Sequence, residues 1–149
     1  MTKDKFTKLV CEYEKTLYTV AMSMMKNEQD CEDAIQTAIL KAFEKLSTLR
    51  NEEYFKTWLV RILINVCKKN LKKRDSFSVI IEPVTHADDE HLEVRLALEK
   101  LPEKIRQVVV LHYIESFTTQ EISEVLCIPK GTVLSRLSKG RELLRLELN

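Results

Sequence analysis

Thr119-Gln-Glu-Ile-Ser-Glu-Val-Leu-Cys-Ile-Pro-Lys-Gly-Thr-Val-Leu-Ser-Arg-Leu137 reads as two short helices around a tight turn, and this decides how the second half of the chain folds. Ile122, Leu126, Ile128, Val133 and Leu137 are the apolar positions that meet when a second helix crosses the first at a steep angle. Ser123 is small where the two backbones come close, and Pro129 opens the second helix, where its missing N–H costs nothing. The exposed face of that helix carries Lys130, Thr132, Ser135, Arg136, Ser138, Lys139 and Arg141, cations and hydroxyls suited to phosphates and base edges. A helix-turn-helix with such a face predicts a duplex DNA ligand. The competing reading is an ordinary helical hairpin with a solvated basic face.

Upstream, Leu92, Leu96 and Leu98 begin a helical pattern that pauses at Leu101-Pro102. It continues through Ile105, Val108, Val109, Leu111, His112 and Ile114, so residues 91–149 predict a small four-helix domain. Before it, over 75–90, periodicity disappears among Ser76, Ser78, Pro83, Thr85 and the acidic Asp88-Asp89-Glu90, the composition of a flexible linker. Within that linker the apolar run Phe77-Ser-Val-Ile-Ile81 predicts a short strand or extended segment that docks on a neighbour. Residues 1–74 carry three apolar stripes. Phe6, Leu9, Val10, Tyr13, Leu17, Val20, Ala21 and Met24 mark the first helix. Ala34, Ile35, Ala38, Ile39, Ala42, Phe43 and Leu46 mark a second helix, whose small residues permit close packing. After a mostly polar loop over 47–53, Phe55, Trp58, Leu59, Ile62, Leu63 and Val66 form the third. The predicted fold is all-α: two small helical domains, 1–74 and 91–149, joined by a flexible linker.

Composition agrees with this fold. The 149 residues include only two glycines and three prolines, and 44% are hydrophobic, enough for helical cores. A net charge of +1 hides strong segregation along the chain, which is what a polyanionic partner would feel. Cys11, Cys31, Cys67 and Cys127 lack the close pairs of a zinc or redox motif and are read as buried thiols of a reducing cytoplasm. His86, His91 and His112 are too dispersed for a metal cluster, and no glycine-rich phosphate loop is present. No catalytic residue, metal, cofactor or small-molecule substrate is therefore expected. The amphipathic start is unlike a signal segment, and no run approaches the ~18 apolar residues of a membrane span, so a cytoplasmic location is expected.

Between Lys56 and Arg74 lie Lys56, Arg61, Lys68, Lys69, Lys72, Lys73 and Arg74, with no acidic residue in the interval. If about four of these reached phosphates, each would contribute roughly −0.7 to the log–log salt slope on a single strand. Tyr54, Phe55 and Trp58 stand at the head of the run, and rings beside cations are the components of a stacking surface for unpaired bases. Phe55 and Trp58 also fit a helical core. Tyr54 and the loop before it are the freer residues.

With these segments in hand, the chain resembles the extracytoplasmic-function (ECF) sigma factors, promoter-recognition subunits of bacterial RNA polymerase, over nearly its whole length. Asp30-Cys-Glu-Asp-Ala-Ile-Gln36 followed by Ala42-Phe43 resembles the acidic motif of the sigma-two domain that docks on the polymerase clamp helices. Phe55-Lys-Thr-Trp-Leu-Val-Arg-Ile-Leu-Ile-Asn65 and its basic continuation are similar to the segment that melts and reads the minus-ten element. Leu101-Pro102-Glu103 and Gly131-Thr-Val-Leu-Ser-Arg-Leu137 resemble the sigma-four domain, whose helix-turn-helix reads the minus-thirty-five element. The resemblance implies that Asp30, Asp33 and Gln36 contact polymerase. It implies that Asn65 and the loop at Arg50 and Asn51 hold a base flipped from the melted strand, with Tyr54 and Trp58 in the same minus-ten DNA-binding region, while Arg61, Lys68, Lys69, Lys72, Lys73 and Arg74 grip its backbone. In the second domain it directs Ser135, Ser138 and Lys139 to bases and Thr132, Arg136 and Arg141 to phosphates, with Lys130 on the same DNA-binding face. Core RNA polymerase, promoter DNA and an anti-sigma factor are the implied partners.

Four residues depart from the family pattern. Thr37 replaces a usual acid, and Leu134 a frequent cation. Cys127 takes a turn position that often holds glycine, where any side chain opposes a left-handed backbone. Gly140 stands where alanine is common, which predicts a looser reading helix. The alternative function is a stand-alone helix-turn-helix regulator that dimerises through its amino-terminal bundle and binds half-sites about one helical turn apart. A third reading is an adaptor for other helical proteins, its charges serving only solubility.

Overall fold

The computed structural model describes residues 1–25, 27–74 and 92–148, and the chain divides into two compact units, Met1–Pro83 and Val84–Asn149. The expected linker over 75–90, with the apolar run at 77–81, lies outside the described residues. Every regular element described is helical.

In the first unit the predicted first helix is two. α1 (Lys3–Glu12) is capped by Thr2, whose hydroxyl accepts from the Lys5 N–H, and it stops at Tyr13, where φ −98° and ψ 10° leave the helical region. α2 (Glu14–Met25) then restarts and buries Leu17, Val20, Ala21, Met24 and Met25. No glycine or proline announces the break. It lets Phe6 on α1 and Leu17 on α2 both reach the interior. α3 (Glu28–Glu44) is capped by Asn27, whose carbonyl oxygen accepts from the Asp30 N–H at 2.9 Å while its amide donates to the Asp30 carboxylate at 2.8 Å. Its Ala34, Ala38 and Ala42 are fully buried, and these small residues let α2 and α4 pack closely along the same helix.

The polar loop is shaped by two 3₁₀ turns, Leu46–Thr48 and Glu52–Tyr54, the second capped by Asn51, whose side-chain oxygen accepts from the Glu53 N–H at 3.0 Å. α4 (Phe55–Arg74) follows, with Phe55, Leu59, Val60, Leu63, Ile64, Val66 and Cys67 inside. Phe55 is the hub of an aromatic cluster. Its ring centroid lies 5.9 Å from Phe6, 6.2 Å from Tyr13 and 5.8 Å from Trp58, so the head of α4 is locked onto the α1–α2 junction.

The second unit contains α5 (Leu92–Glu99), α6 (Glu103–Val109), a wide π turn (Val110–Ile114), α7 (Thr119–Leu126) and α8 (Lys130–Leu148). α8 packs on α5, α6 and α7. Arg106, a charged residue with no sign of burial in the sequence, is only 6% exposed, and its guanidinium donates to the Glu99 carbonyl at the end of α5 and to the Leu101 carbonyl just beyond it. Burial lowers its pKa from the ordinary arginine value, with Glu103 and Glu99 opposing the shift.

Only two of the four cysteines are buried: Cys31 and Cys67 are inside, whereas Cys11 and Cys127 are exposed. The expectation of four buried thiols is corrected because Cys11 lies on the outer side of α1 and Cys127 in an outward turn. Burial pushes both inner thiols up to about 12, the stronger penalty in each case being loss of hydration around a thiolate.

Candidate nucleic-acid interfaces

On α4, Trp58, Arg61, Asn65, Lys68 and Lys72 follow steps of three, four, three and four, which places them in one stripe along about 21 Å of helix. Arg61, Asn65, Lys68, Lys69, Lys72 and Lys73 are all exposed, and Trp58 is half-buried beside Phe55. Among the described residues, no hydrogen bond or ion pair engages the side chains of Arg61, Asn65, Lys68 or Lys72. Arg74 closes the helix, its side chain outside the described set. Leading into this stripe, Tyr54 is 56% exposed and Arg50 and Asn51 are exposed in the loop. The Asn51 side-chain oxygen is already occupied as a cap, which leaves its amide N–H₂ as the outward group.

That loop is tied to α1. Lys5 and the amino terminus both pair with the Glu52 carboxylate, the latter at 3.9 Å, and the Lys5 ammonium holds this carboxyl below its ordinary pKa. Nothing in the sequence linked residues 47 positions apart.

The acidic motif divides on the surface of α3. Asp33 and Gln36 are exposed, with Gln29 donating to the Asp33 carboxylate at 3.1 Å and the Thr37 hydroxyl donating to the Asp33 carbonyl at 2.9 Å. Asp30 is half-buried and engaged with the Asn27 cap. One turn further along the same face Leu40 is 65% exposed.

In the second unit α7 begins with a reciprocal capping box between Thr118 and Glu121 and ends at Cys127, whose φ 55° and ψ 47° are left-handed. The turn that often holds glycine thus keeps its left-handed shape with a cysteine in it, at a strain cost of order 1 kcal/mol. Ser123 does more than save space: its hydroxyl donates to the Ile128 carbonyl at 2.6 Å, and the Ile128 N–H returns to the Ser123 carbonyl at 3.2 Å. α8 starts at Lys130, one residue later than expected, and Pro129 supplies the carbonyl that accepts from Thr132 and Val133.

Val133, Leu137 and Gly140 are the buried side of α8. Opposite them lie Gly131, Ser135 and Ser138, all exposed. Lys130, Leu134 and Arg141 flank this line on one side, and Thr132, Arg136 and Lys139 on the other. Thr132 and Arg136 are half-buried. Two of the cations are held: Lys139 lies 3.7 Å from the Glu142 carboxylate, and Arg141 donates to the Tyr113 hydroxyl at 2.9 Å. Gly140 does not loosen the helix, which runs unbroken to Leu148. A Cβ there would stand 2.5 Å from Val109 Cγ2 and 3.2 Å from Ile105 Cγ2, so the glycine is where α6 and α8 touch.

Two helical units, one with an exposed cationic stripe and one with a helix-turn-helix, can be compared with known proteins. Residues 9–77 match the family model for sigma-70 region 2, and residues 91–144 that for sigma-70 region 4. The chain is 30% identical to the ECF RNA polymerase sigma factor SigW of Bacillus subtilis, over 98% of this chain and 90% of SigW. The chain belongs to the ECF sigma factors. It is also 28% identical to the Bacillus subtilis RNA polymerase sigma factor SigV, over 99% of this chain and 93% of SigV. Among solved structures, the sigma factor RpoE in complex with the anti-sigma factor NepR from Bartonella quintana superposes with a TM-score of 0.82 at 25% identity, covering 99% of this chain and 98% of RpoE. CnrH in complex with the cytosolic domain of CnrY gives 0.79, also at 25% identity, over 99% of this chain and 89% of CnrH. As a sigma factor the chain binds core RNA polymerase and promoter DNA and directs promoter-specific initiation of transcription. Among the described residues, no helix of this sigma factor is long and apolar enough to cross a membrane, and no cluster of metal-ligand side chains occurs.

Proposed function

We propose that this sigma factor divides promoter recognition between its two units. The α4 stripe from Trp58 to Lys72, with Tyr54, Arg50 and Asn51 at its head, takes the unwound strand of the minus-ten element. A base swung out of the stack costs a few kcal/mol, offset by stacking on an exposed ring and by contacts to its edge. Lys68, Lys69, Lys72, Lys73 and Arg74 follow the backbone. In the second unit the outward line of α8 enters the major groove of the minus-thirty-five element: Ser135, Ser138 and Lys139 on base edges, and Lys130, Thr132, Arg136 and Arg141 on flanking phosphates. Asp33 and Gln36 on α3, with Asp30 fixing the start of that helix, dock on core polymerase.

The observation that carries this reading is the α4 stripe. A stand-alone helix-turn-helix regulator needs α7 and α8 but leaves an exposed, largely cationic face on another unit without a task. We further propose that the protein works in the cytoplasm, has no catalytic chemistry of its own, and is restrained by an anti-sigma partner, as RpoE is found with the anti-sigma factor NepR.

Purified protein mixed with core polymerase on a random promoter library tests the division. Initiation should concentrate on templates sharing two separated elements, and the protein alone should hold promoter DNA weakly. Tight duplex binding without polymerase would return the stand-alone regulator to favour. Asp33→Arg should impair holoenzyme assembly, read by co-elution with core polymerase, while circular dichroism stays that of the parent. Normal assembly would remove Asp33 from the docking face.

A further inference from the structure

Tyr113 is not one of the residues singled out in the sequence, yet its hydroxyl reaches from the π turn to Arg141 on α8's basic face. That turn follows α6 without a break. The Glu115 N–H reaches back five residues to the Val110 carbonyl at 3.0 Å, one more than an α-helix allows. Val110 and Leu111 remain in the core, whereas Tyr113 is about half exposed. The turn is closed firmly behind it: the Phe117 N–H donates to the Leu111 carbonyl at 2.8 Å, and His112 Nδ1 lies 2.8 Å from the Phe117 carbonyl. A carbonyl only accepts, so Nδ1 carries the proton. The His112 ring then braces Tyr113 edge-on, with centroids 4.9 Å apart. The braced hydroxyl accepts from Arg141 Nη1 at 2.9 Å, across 28 residues.

We propose that Tyr113 is a positioning residue for promoter binding, forming with Arg141 a single phosphate clamp at the edge of the reading helix. The inference rests on the proposed docking of α8 in the minus-thirty-five groove. In accepting one guanidinium N–H, Tyr113 fixes the plane of a group that otherwise samples many rotamers, and the remaining N–H donors keep a set direction. The phenol still holds its own proton, which it can donate to the same phosphate oxygen. The clamp therefore offers two kinds of donor to one anion. It is sequence-blind, since a phosphate carries no base identity.

The test uses holoenzyme assembled from core polymerase with the parent, Tyr113→Phe, Arg141→Ala or the double variant, and measures promoter binding against salt and across a minus-thirty-five library. Tyr113→Phe keeps the ring and its packing. The expected result is a three- to ten-fold loss of affinity at low salt, equal for every library member, with melting temperature unchanged. The same substitution should cost less once Arg141 is alanine, because only the phenol's own donation to the phosphate is then left to lose. Arg141→Ala should also lower the magnitude of the log–log salt slope by about 0.9, one phosphate on duplex DNA. Parental binding by Tyr113→Phe while Arg141→Ala weakens it, or a Tyr113→Phe effect that changes base preference or adds fully to Arg141→Ala, would overturn the clamp and leave the reading of α8 standing. No effect of Arg141→Ala would remove both the clamp and the phosphate role on which it rests.

Discussion

The two faces offered to DNA are built in opposite ways. Along α4, Arg61, Asn65, Lys68 and Lys72 project without side-chain partners among the described residues, whereas on α8 Arg141 is bonded to Tyr113 and Lys139 is paired with Glu142. The difference matches the two forms of DNA. A melted strand has no fixed geometry, so long cations that can follow it lose little by being unrestrained. A duplex groove presents donors and acceptors at set positions, and there a side chain held in advance gives up less conformational freedom on binding. The aromatic lock beneath α4 shows that rigidity was available to the first unit. It is used there to hold the helix, not the charges.

The contrast predicts different responses to mutation. Replacing Arg61, Lys68, Lys69 and Lys72 together by alanine should weaken open-complex formation by about 100-fold near physiological salt. It should also cut the magnitude of the salt slope by up to ~2.8, at ~0.7 for each of four single-strand phosphates. All promoters should suffer alike, because these contacts read backbone. Filter binding across a salt series checks this. A loss confined to particular minus-ten sequences would mean that the stripe is ordered enough to read bases, and the contrast with α8 would fail.

Lys139→Ala is the matching probe on α8. It should cost roughly 1–3 kcal/mol on promoters that depend on the upstream element, and it should relax preference at one base position. Selection from a minus-thirty-five library reads both effects. A uniform loss would reassign Lys139 to phosphate and place it in the same class as the α4 lysines. Gly140→Ala asks how rigid the α8 platform is. The new methyl meets Val109 at 2.5 Å between two buried faces. Overpacking of that kind costs about 1–3 kcal/mol, and the gain in helix propensity returns no more than about 1. Net destabilisation of the second unit by about 1–2 kcal/mol is expected in urea unfolding. A stabilised variant would show that Val109 can turn aside and that the crossing is loosely packed.

Local patterns were legible in the chain and long-range ones were not. The helix-turn-helix could be read because Ile122, Leu126, Val133 and Leu137 are buried at the spacing a crossed pair of helices demands, and the alanines of α3 announced a close contact. The break at Tyr13 could not be read, since no local breaker marks it and the ring Tyr13 packs against, Phe55, is distant in sequence. Arg106 looked like any surface cation because its two acceptors are backbone carbonyls, which have no signature in residue type. Helix propensity alone gives no reason for Gly140; its reason is a neighbour 31 positions away. Among site residues, the exposure of Arg61, Asn65, Lys68 and Lys72 followed from helical spacing, while Tyr113 and Glu52 matter through partners 28 and 47 residues distant.

Glu52 gives the smallest effect and the finest test of the contrast. The loop carrying Arg50, Asn51 and Tyr54 is tied down through the Glu52 carboxylate to Lys5 and the amino terminus. Because the Lys5 ammonium lowers the Glu52 pKa, the tether is fully present above the ordinary carboxylate range and is lost only as pH falls through the lowered value. Loop order should thus be insensitive to pH near neutrality and decline only in acid. Glu52→Gln at neutral pH should reproduce the acid state, speeding hydrogen exchange of the backbone amides at 50–54 without changing that of α4. Solvent exposure and salt screening keep the gain small, so the exchange difference should shrink as ionic strength rises. If amides at 50–54 exchange identically in both proteins at low salt, the loop is held by the Asn51 cap alone, and the first unit presents unrestrained groups to DNA along its whole face.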